Sequence, residues 1–168
     1  MIGTRSACLM VVVTLAAIGC KPHELTLDPG ARTFTPDSYP RVWEAWTREE
    51  ESFAWKELTH EIFVGATFES WEFRWAYVVR YAHDYSLTPE ARDEMLDASL
   101  TSSRLEHRFF VTLSGLDFRE SNLANKTSAW RVLLVDPAGN QTSPVLMERV
   151  RRPTAVDRVY FPQVSPFR

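Results

Sequence analysis

The chain is poor in cysteine. It has two in 168 residues, Cys8 and Cys20, and both fall within the first 20 positions. Residues 21–168 therefore cannot form a disulfide among themselves, which excludes the class of small secreted domains held together by disulfides. The fold must depend on an apolar core, and six Trp and ten Phe supply large side chains for it.

Long apolar runs are also scarce. The chain has one, residues 7–19, which is about a dozen residues long, whereas a helix that crosses a bilayer needs about 20. A short start that carries one positive residue, Arg5, precedes the run, and the small residues Ala17 and Gly19 end it directly before Cys20. This size and these flanks are typical of a secretory leader with its cleavage site.

The segment Ala17-Ile18-Gly19-Cys20 resembles the lipobox of bacterial lipoproteins, although Ala17 stands where that family more often has Leu. The resemblance implies that the leader is cut between Gly19 and Cys20, that the Cys20 thiol is diacylglycerylated and that the new amino terminus is acylated, with palmitate-type chains. It also implies a lipid-anchored protein of the bacterial cell envelope. Lys21 occupies the position where Asp commonly marks inner-membrane retention, which favours the outer membrane. An uncleaved anchor and a secreted protein cut near Gly19 are the alternatives.

Runs of positive charge are missing as well. Lys and Arg number 19 against 22 acidic residues, the net charge is −3, and no basic stripe could follow a phosphate backbone. The short cluster Arg149, Arg151 and Arg152, next to Glu148, is typical of a solvated strand end. Nucleic acid is therefore not an expected partner.

The remaining chain predicts one domain after a linker. We interpret residues 1–19 as the signal peptide, 20–38 as a lipidated start and flexible tether with three prolines, and 39–168 as a single globular domain.

Periodicity predicts mainly β structure. Alternating apolar residues indicate long strands at 56–68 and at 71–81, and Thr88 followed by Pro89 indicates the start of a helix that ends near Ala98. The favoured architecture is an antiparallel β-sandwich with two short helices, and the alternative is an α+β layer with both helices on one antiparallel sheet. The other predicted elements are a helix at 40–52, whose Trp43 and Trp46 are core anchors, and strands at 105–113, 145–150 and 156–161.

The segment Asp136 to Pro144 predicts a tight turn, because Gly139 and Asn140 tolerate positive φ. Residues Val135 to Ser143 resemble a hairpin of bacterial immunoglobulin-like and fibronectin-type-III-like modules, and the resemblance implies a sandwich.

The sequence also lacks recognisable catalytic motifs. His60-Glu61 begins like the HExxH zinc motif, but its fifth position is Val64, and no P-loop, GxGxxG or GxSxG motif occurs. His83-Asp84-Tyr85 is the one polar aromatic spot that could orient a general base. The sequence predicts neither a cofactor nor a metal site.

These observations favour a non-catalytic envelope lipoprotein. Its domain would bind an envelope protein or a glycan through an exposed aromatic patch formed by Trp71 and Trp75, or would hold a complex at the membrane. The alternative is a lipid-anchored hydrolase or metal-binding protein that uses His60, His83 and His107.

Overall fold

The computed structural model describes residues 25–54, 59–115, 123–125, 128, 130–150 and 152–164. Within these ranges the fold is α+β, with helices interspersed among two small sheets. The helices are α1 (Tyr39–Trp46), α2 (Trp71–Asp84), α3 (Pro89–Leu105) and α4 (Ala155–Tyr160), with 3-10 turns at Pro36–Ser38 and Pro162–Val164. The strands are β1 (Thr47–Ala54), β2 (Thr59–Phe68), β3 (Phe109–Gly115), β4 (Leu134–Val135) and β5 (Gln141–Thr142).

The larger sheet is antiparallel, with β2 in the centre between β1 and β3. Val64 is paired with Glu50 on one side and with Leu113 on the other, which sets the register. Strand β1 forms an edge, and its exposed acidic residues discourage another strand from adding to it. The smaller sheet consists of β4 and β5 alone.

The core lies where the helices meet the end of the chain. Its buried side chains are those of Tyr39, Val42, Phe73, Ala76, Tyr160 and Phe161. The Tyr39 hydroxyl donates a hydrogen bond of 2.6 Å to the backbone carbonyl of Tyr160, and the Phe161 ring stacks on Phe110 of β3 at 4.1 Å. The C-terminal residues thereby join α1 and α2 to the sheet.

Gln163 crosses the sheet at Gly65. Its buried amide donates to Thr67 Oγ1 at 2.8 Å and accepts from Trp43 Nε1 at 3.1 Å, so both ends of the side chain are satisfied. A Cβ atom at Gly65 would lie 2.7 Å from Thr112 Oγ1 and 3.1 Å from Gln163 Cβ, so this position needs glycine.

The prediction of a mainly β sandwich is wrong, and the α+β class is the one found. The largest single error is the strand predicted at 71–81, which is helix α2. The Ser70 hydroxyl caps this helix by accepting a hydrogen bond of 3.1 Å from the Phe73 amide. Alternate members of the predicted strand face are four residues apart, so Phe73, Tyr77 and Tyr81 lie about one helical turn apart and stack on one another. The ring of Tyr81 stacks in turn on that of the C-cap residue Tyr85.

Other boundaries also differ from the prediction. The first helix ends at Trp46 rather than at residue 52, because Thr47 begins a strand in which its hydroxyl bonds to Thr67 of β2 at 2.8 Å. The strand predicted at 156–161 is α4, which starts with a capping box between Thr154 and Asp157. The segment 145–150 forms no strand, and β3 begins at Phe109, whereas Leu105 belongs to α3.

Two local predictions are confirmed. Helix α3 starts at Pro89 with the Thr88 hydroxyl accepting from the Ala91 amide at 3.3 Å, although it continues to Leu105. The two tryptophans of α1 pack against the core as predicted.

Candidate functional site

Trp71 and Trp75, the predicted contact surface, lie one turn apart on α2 with their rings 6.3 Å apart. Both are half-buried. The Trp71 indole donates a hydrogen bond of 2.8 Å to the carbonyl of Gly30, and the Arg104 guanidinium lies 5.0 Å above the ring. The structure thus places Trp71 beneath the N-terminal segment and Arg104, where the indole helps to fasten that segment.

The three histidines of the alternative hypothesis do not converge. His60 lies on β2, and eight residues of strand, about 26 Å, separate it from Phe68. The exposed ring of His107 packs edge-on against Phe68 at 5.7 Å, so His107 is at the opposite end of β2 from His60. His83 is exposed at the end of α2. In the described part of the chain, no group of three or more His, Cys, Asp and Glu side chains is placed to hold a metal ion.

Asp84 is the centre of a small polar network at the end of α2. Its carboxylate accepts hydrogen bonds from Arg80 Nε at 2.7 Å and from the Tyr160 hydroxyl at 2.9 Å, and His83 Nδ1 lies 3.3 Å away. The bond from Arg80, with smaller contributions from Tyr160 and His83, lowers the pKa of Asp84 below its usual value. Burial and the Asp84 contact raise the pKa of Tyr160, so its phenol stays protonated.

A shallow cavity of about 260 Å³ adjoins this network, lined by Asp84, Tyr85, Ala155, Val156, Val159 and Tyr160. Two tyrosines that line the cavity belong to a larger group of contacting rings, which contains all five tyrosines of the chain: Tyr39, Tyr77, Tyr81, Tyr85 and Tyr160. Burial raises the pKa of Tyr77, at its centre, to about 12. The Asp84 network joins α2 to α4, so a structural role explains its hydrogen bonds.

An Asp84→Asn variant is expected to lose about 1 kcal/mol of unfolding free energy at pH 7, because the amide still accepts from Tyr160 but loses the ion pair with Arg80. The folded-state pKa of Asp84 is depressed. Its contribution is therefore present above the unfolded pKa of about 3.9 and is lost as the pH falls through the folded value. Urea titrations at decreasing pH should show the two proteins converging as the carboxyl of Asp84 becomes protonated in the folded state. The matched control, Asp93→Asn on the exposed face of α3, should change little.

A difference between wild type and Asp84→Asn that stayed constant from pH 7 to pH 2 would contradict this account of the Asp84 network.

The most unusual surface feature is residues 130–150, which we call the apolar arm. Large apolar side chains stand exposed along it: Trp130, Leu134, Val135, Val145, Leu146, Met147 and Val150. Leu146 keeps 73% of its accessible surface. Single exposed apolar residues are ordinary on a protein surface, but a concentration in 21 consecutive residues is typical of an interaction site.

A well-defined turn organises the first half of the apolar arm. Asp136 Oδ1 accepts from the amides of Ala138 and Asn140 at 2.9 and 2.8 Å, and Oδ2 accepts from the Asn140 side chain at 2.7 Å. Gly139 has φ of +87°, which confirms the predicted turn at this position. The hydrogen bonds to Asn140 are the main cause of a lowered pKa of Asp136. The sequence therefore builds a hairpin locally, without help from the core.

The sequence analysis missed this site because it assigned 145–150 to a strand. The run Val145-Leu146-Met147 follows Pro144 and does not alternate with polar residues, which was the available signal against a half-buried strand.

Cys20, Gly19 and the rest of the proposed leader lie outside the described residues. None of the helices in the described ranges combines the length and hydrophobicity needed to cross a bilayer. Comparison of the chain with protein-family models, with curated proteins and with solved structures gives no match.

Proposed function

We propose that the protein is a lipid-anchored, non-catalytic component of the bacterial cell envelope whose apolar arm binds another envelope protein. The anchor is supported by the leader-like residues 1–19 and by the lipobox-like Ala17 to Cys20. Lys21 after the cysteine supports the outer membrane as its location. Two acyl chains on Cys20, at about 0.8 kcal/mol per buried methylene, hold a chain on a bilayer far longer than one chain does.

The single observation that carries the binding role is the exposure of the apolar arm. Burying one Val, Leu or Met side chain is worth about 1.5–3 kcal/mol, and the arm leaves several of them in water. A two-stranded hairpin is also marginally stable by itself in water. A partner that covers the arm would provide the missing burial and stabilise the hairpin.

The chemistry of the arm favours a polypeptide partner over a glycan. Among the described residues, β4 and β5 pair only with each other, so their outer edges can accept a further strand. Strand addition supplies main-chain hydrogen bonds, and the exposed apolar side chains of the arm would be buried against the incoming segment. The hydrolase and metal alternatives have weaker support, because His60 and His107 lie at opposite ends of β2.

A photo-crosslinking amino acid at Leu146 tests the proposal in intact cells. We expect a discrete adduct of defined mass, because Leu146 would lie against the partner. The same amino acid at Asp93, which is exposed on α3, is the matched control and should give no such adduct.

The adduct should disappear when Val145, Leu146 and Met147 are replaced by serine and the crosslinker is moved to Leu134. These exposed side chains contribute little to the fold, so each of the three substitutions should change the unfolding free energy by no more than about 0.5 kcal/mol. Equal adducts from Leu146 and Asp93, or an adduct that survives the serine substitutions, would contradict a binding role for the arm.

A further inference from the structure

The N-terminal segment that was predicted to be a tether lies on the domain over much of its length. Leu25 lines a groove with Arg41, Glu44, Ala45 and Arg48 of α1 and the start of β1. The carbonyl of Gly30 accepts the hydrogen bond from Trp71, and the Phe34 ring packs against the core. The chain therefore comes into contact with the domain at Leu25, beside α1.

The position of Leu25 limits how far Cys20 can lie from this side of the domain. Five peptide units separate Cys20 from Leu25, and a fully extended chain covers at most about 3.6 Å per residue, or about 18 Å in all. A domain of about 130 residues has a radius of gyration near 14 Å and is about 35 Å across. An 18 Å connection cannot reach round such a body to its far side.

We propose that the short connection from Cys20 holds the Leu25–α1 face against the membrane, so that this face lies on phospholipid. The inference deepens the proposed function and rests on it, because it requires the lipid at Cys20. We define the membrane face by Leu25, Arg41 and Arg48, which line one groove, together with the exposed Leu27 two residues along the chain from Leu25.

The chemistry of the membrane face suits a lipid interface. Leu25 and Leu27 are exposed, Leu27 by 69%, and are available to enter the boundary between headgroups and acyl chains. Arg41 and Arg48 are exposed and line the same groove. Arg48 Nη1 donates to the carbonyls of Ala45 and Thr47, so Arg41 is the better placed of the two to approach lipid phosphates, which attract basic side chains. Glu44 lies between them, so the face is amphipathic rather than strongly basic, and the tether sets its orientation more than charge does.

Helix α3 supplies a control site away from the membrane face. α1 runs beside α2, with Trp46 Nε1 donating to Glu72 at 3.0 Å and Tyr39 packing on Tyr77. α3 also packs on α2 but contacts α1 little, so Asp93 lies on a different side of α2 from α1. Packed helices lie about 8–10 Å apart, so α3 is up to about 20 Å from α1.

The test uses acylated full-length protein in liposomes. Arg41→Cys and Asp93→Cys each introduce one reactive thiol, because a diacylglyceryl thioether blocks Cys20 and Cys8 leaves with the leader. A fluorophore at each thiol is challenged with lipid that carries a nitroxide on its headgroup. We expect quenching at position 41 to exceed that at position 93 roughly threefold or more, since α2 packs between position 93 and the helix that carries the membrane face.

Equal quenching at the two positions, or stronger quenching at 93, would overturn the inference. Mass spectrometry of the same samples separates this failure from that of the proposed function. An acylated protein without preferential quenching contradicts the orientation alone, whereas a protein without acyl chains contradicts the anchor itself. Insertion of about 20 Gly and Ser residues between positions 24 and 25 should bring quenching at 41 down to the level at 93, and an unchanged ratio would contradict the role of tether length.

Discussion

Replacing Cys20 with serine is expected to abolish incorporation of fatty acid and to move the protein from the membrane fraction to the soluble fraction almost completely. Serine offers no thiol for the thioether, so both glyceride chains are lost, each of which contributes about 0.8 kcal/mol per buried methylene. Residues 1–19 are exchanged for a cleavable secretory leader in the Cys20→Ser protein, because an uncleaved apolar leader would itself hold the chain on the membrane. Labelled palmitate and detergent phase partition are the measurements.

The chain offers its own matched control in Cys8. This residue is the only other cysteine and lies inside the proposed leader, so Cys8→Ser should leave both palmitate incorporation and fractionation unchanged. Loss of label in both variants would show that the effect comes from leader processing in general. A Cys20→Ser protein that still pelleted with membranes would show that something other than lipid on Cys20 holds it there.

Removing Arg74 alone is expected to cost about 3–5 kcal/mol of unfolding free energy, which is a large fraction of the stability of a domain of this size. The side chains of Arg74 and Glu69 are only 5% and 16% exposed, and Arg74 Nη2 lies 3.6 Å from Glu69 Oε2. Arg74 also donates to the carbonyls of Glu69 at 3.0 Å and Ser99 at 3.3 Å. The side chain thus ties α2 to the end of β2 and to α3.

Burial works against both charges of this pair. It raises the pKa of Glu69 and lowers the pKa of Arg74, in each case with partial compensation from the partner. Arg74 Nη2 has no hydrogen-bond partner among the described residues, which adds to the cost of burying it. A protein that keeps only one of the two buried charges is therefore expected to be less stable than one that keeps both.

A double-mutant cycle measures this dependence. Arg74→Met should be strongly destabilising at pH 7, and Arg74→Met combined with Glu69→Gln should recover more than half of the loss, since no unpaired buried charge remains. With its partner gone, Glu69 has a folded-state pKa still further above the unfolded value. The stability of Arg74→Met should then be greatest below the unfolded pKa and fall as the pH rises through the folded one.

Urea denaturation at pH 4 and pH 7 provides the readout for the three variants and wild type. A loss below about 1 kcal/mol for Arg74→Met, or a double variant no more stable than the single one, would show that water already solvates this pair.

The elements that sequence predicts well are those determined by neighbouring residues. Thr88 and Pro89 start α3 through a cap and a pre-set φ, and Asp136 to Asn140 close the hairpin turn through their own hydrogen bonds. Neither feature needs a tertiary contact, so residue chemistry alone is sufficient.

The elements that sequence misplaces depend on distant partners. β1 has three consecutive glutamates, which favour helix, yet pairing with β2 makes it a strand. Helix α2 contacts α1 and α3, and it lies against the C-terminal residues as well, so its apolar residues are spread around the axis instead of forming one stripe. The overlooked local signals were the caps at Ser70 and Thr154.

The candidate functional residues also fall into those that sequence predicts and those that only the structure reveals. The proposed leader and lipidation site could be predicted from sequence because such signals consist of adjacent residues, here the apolar run 7–19 and Cys20. The exposure of Val145, Leu146 and Met147 could not, since an apolar run predicts burial until the structure shows that nothing in the described chain covers it. Trp71 is the opposite case: the sequence predicts an exposed contact residue, whereas Arg104 lies over its ring and the Gly30 carbonyl accepts a hydrogen bond from its indole N–H.

The mass of the native N-terminal peptide tests the lipid anchor most directly. The anchored account predicts that protein isolated from membranes begins at Cys20 and carries a diacylglyceryl group, with a further acyl chain on the amino group where that modification occurs. A peptide that begins at Met1, or an unmodified thiol at Cys20, would contradict the anchor and with it the proposed orientation of the membrane face.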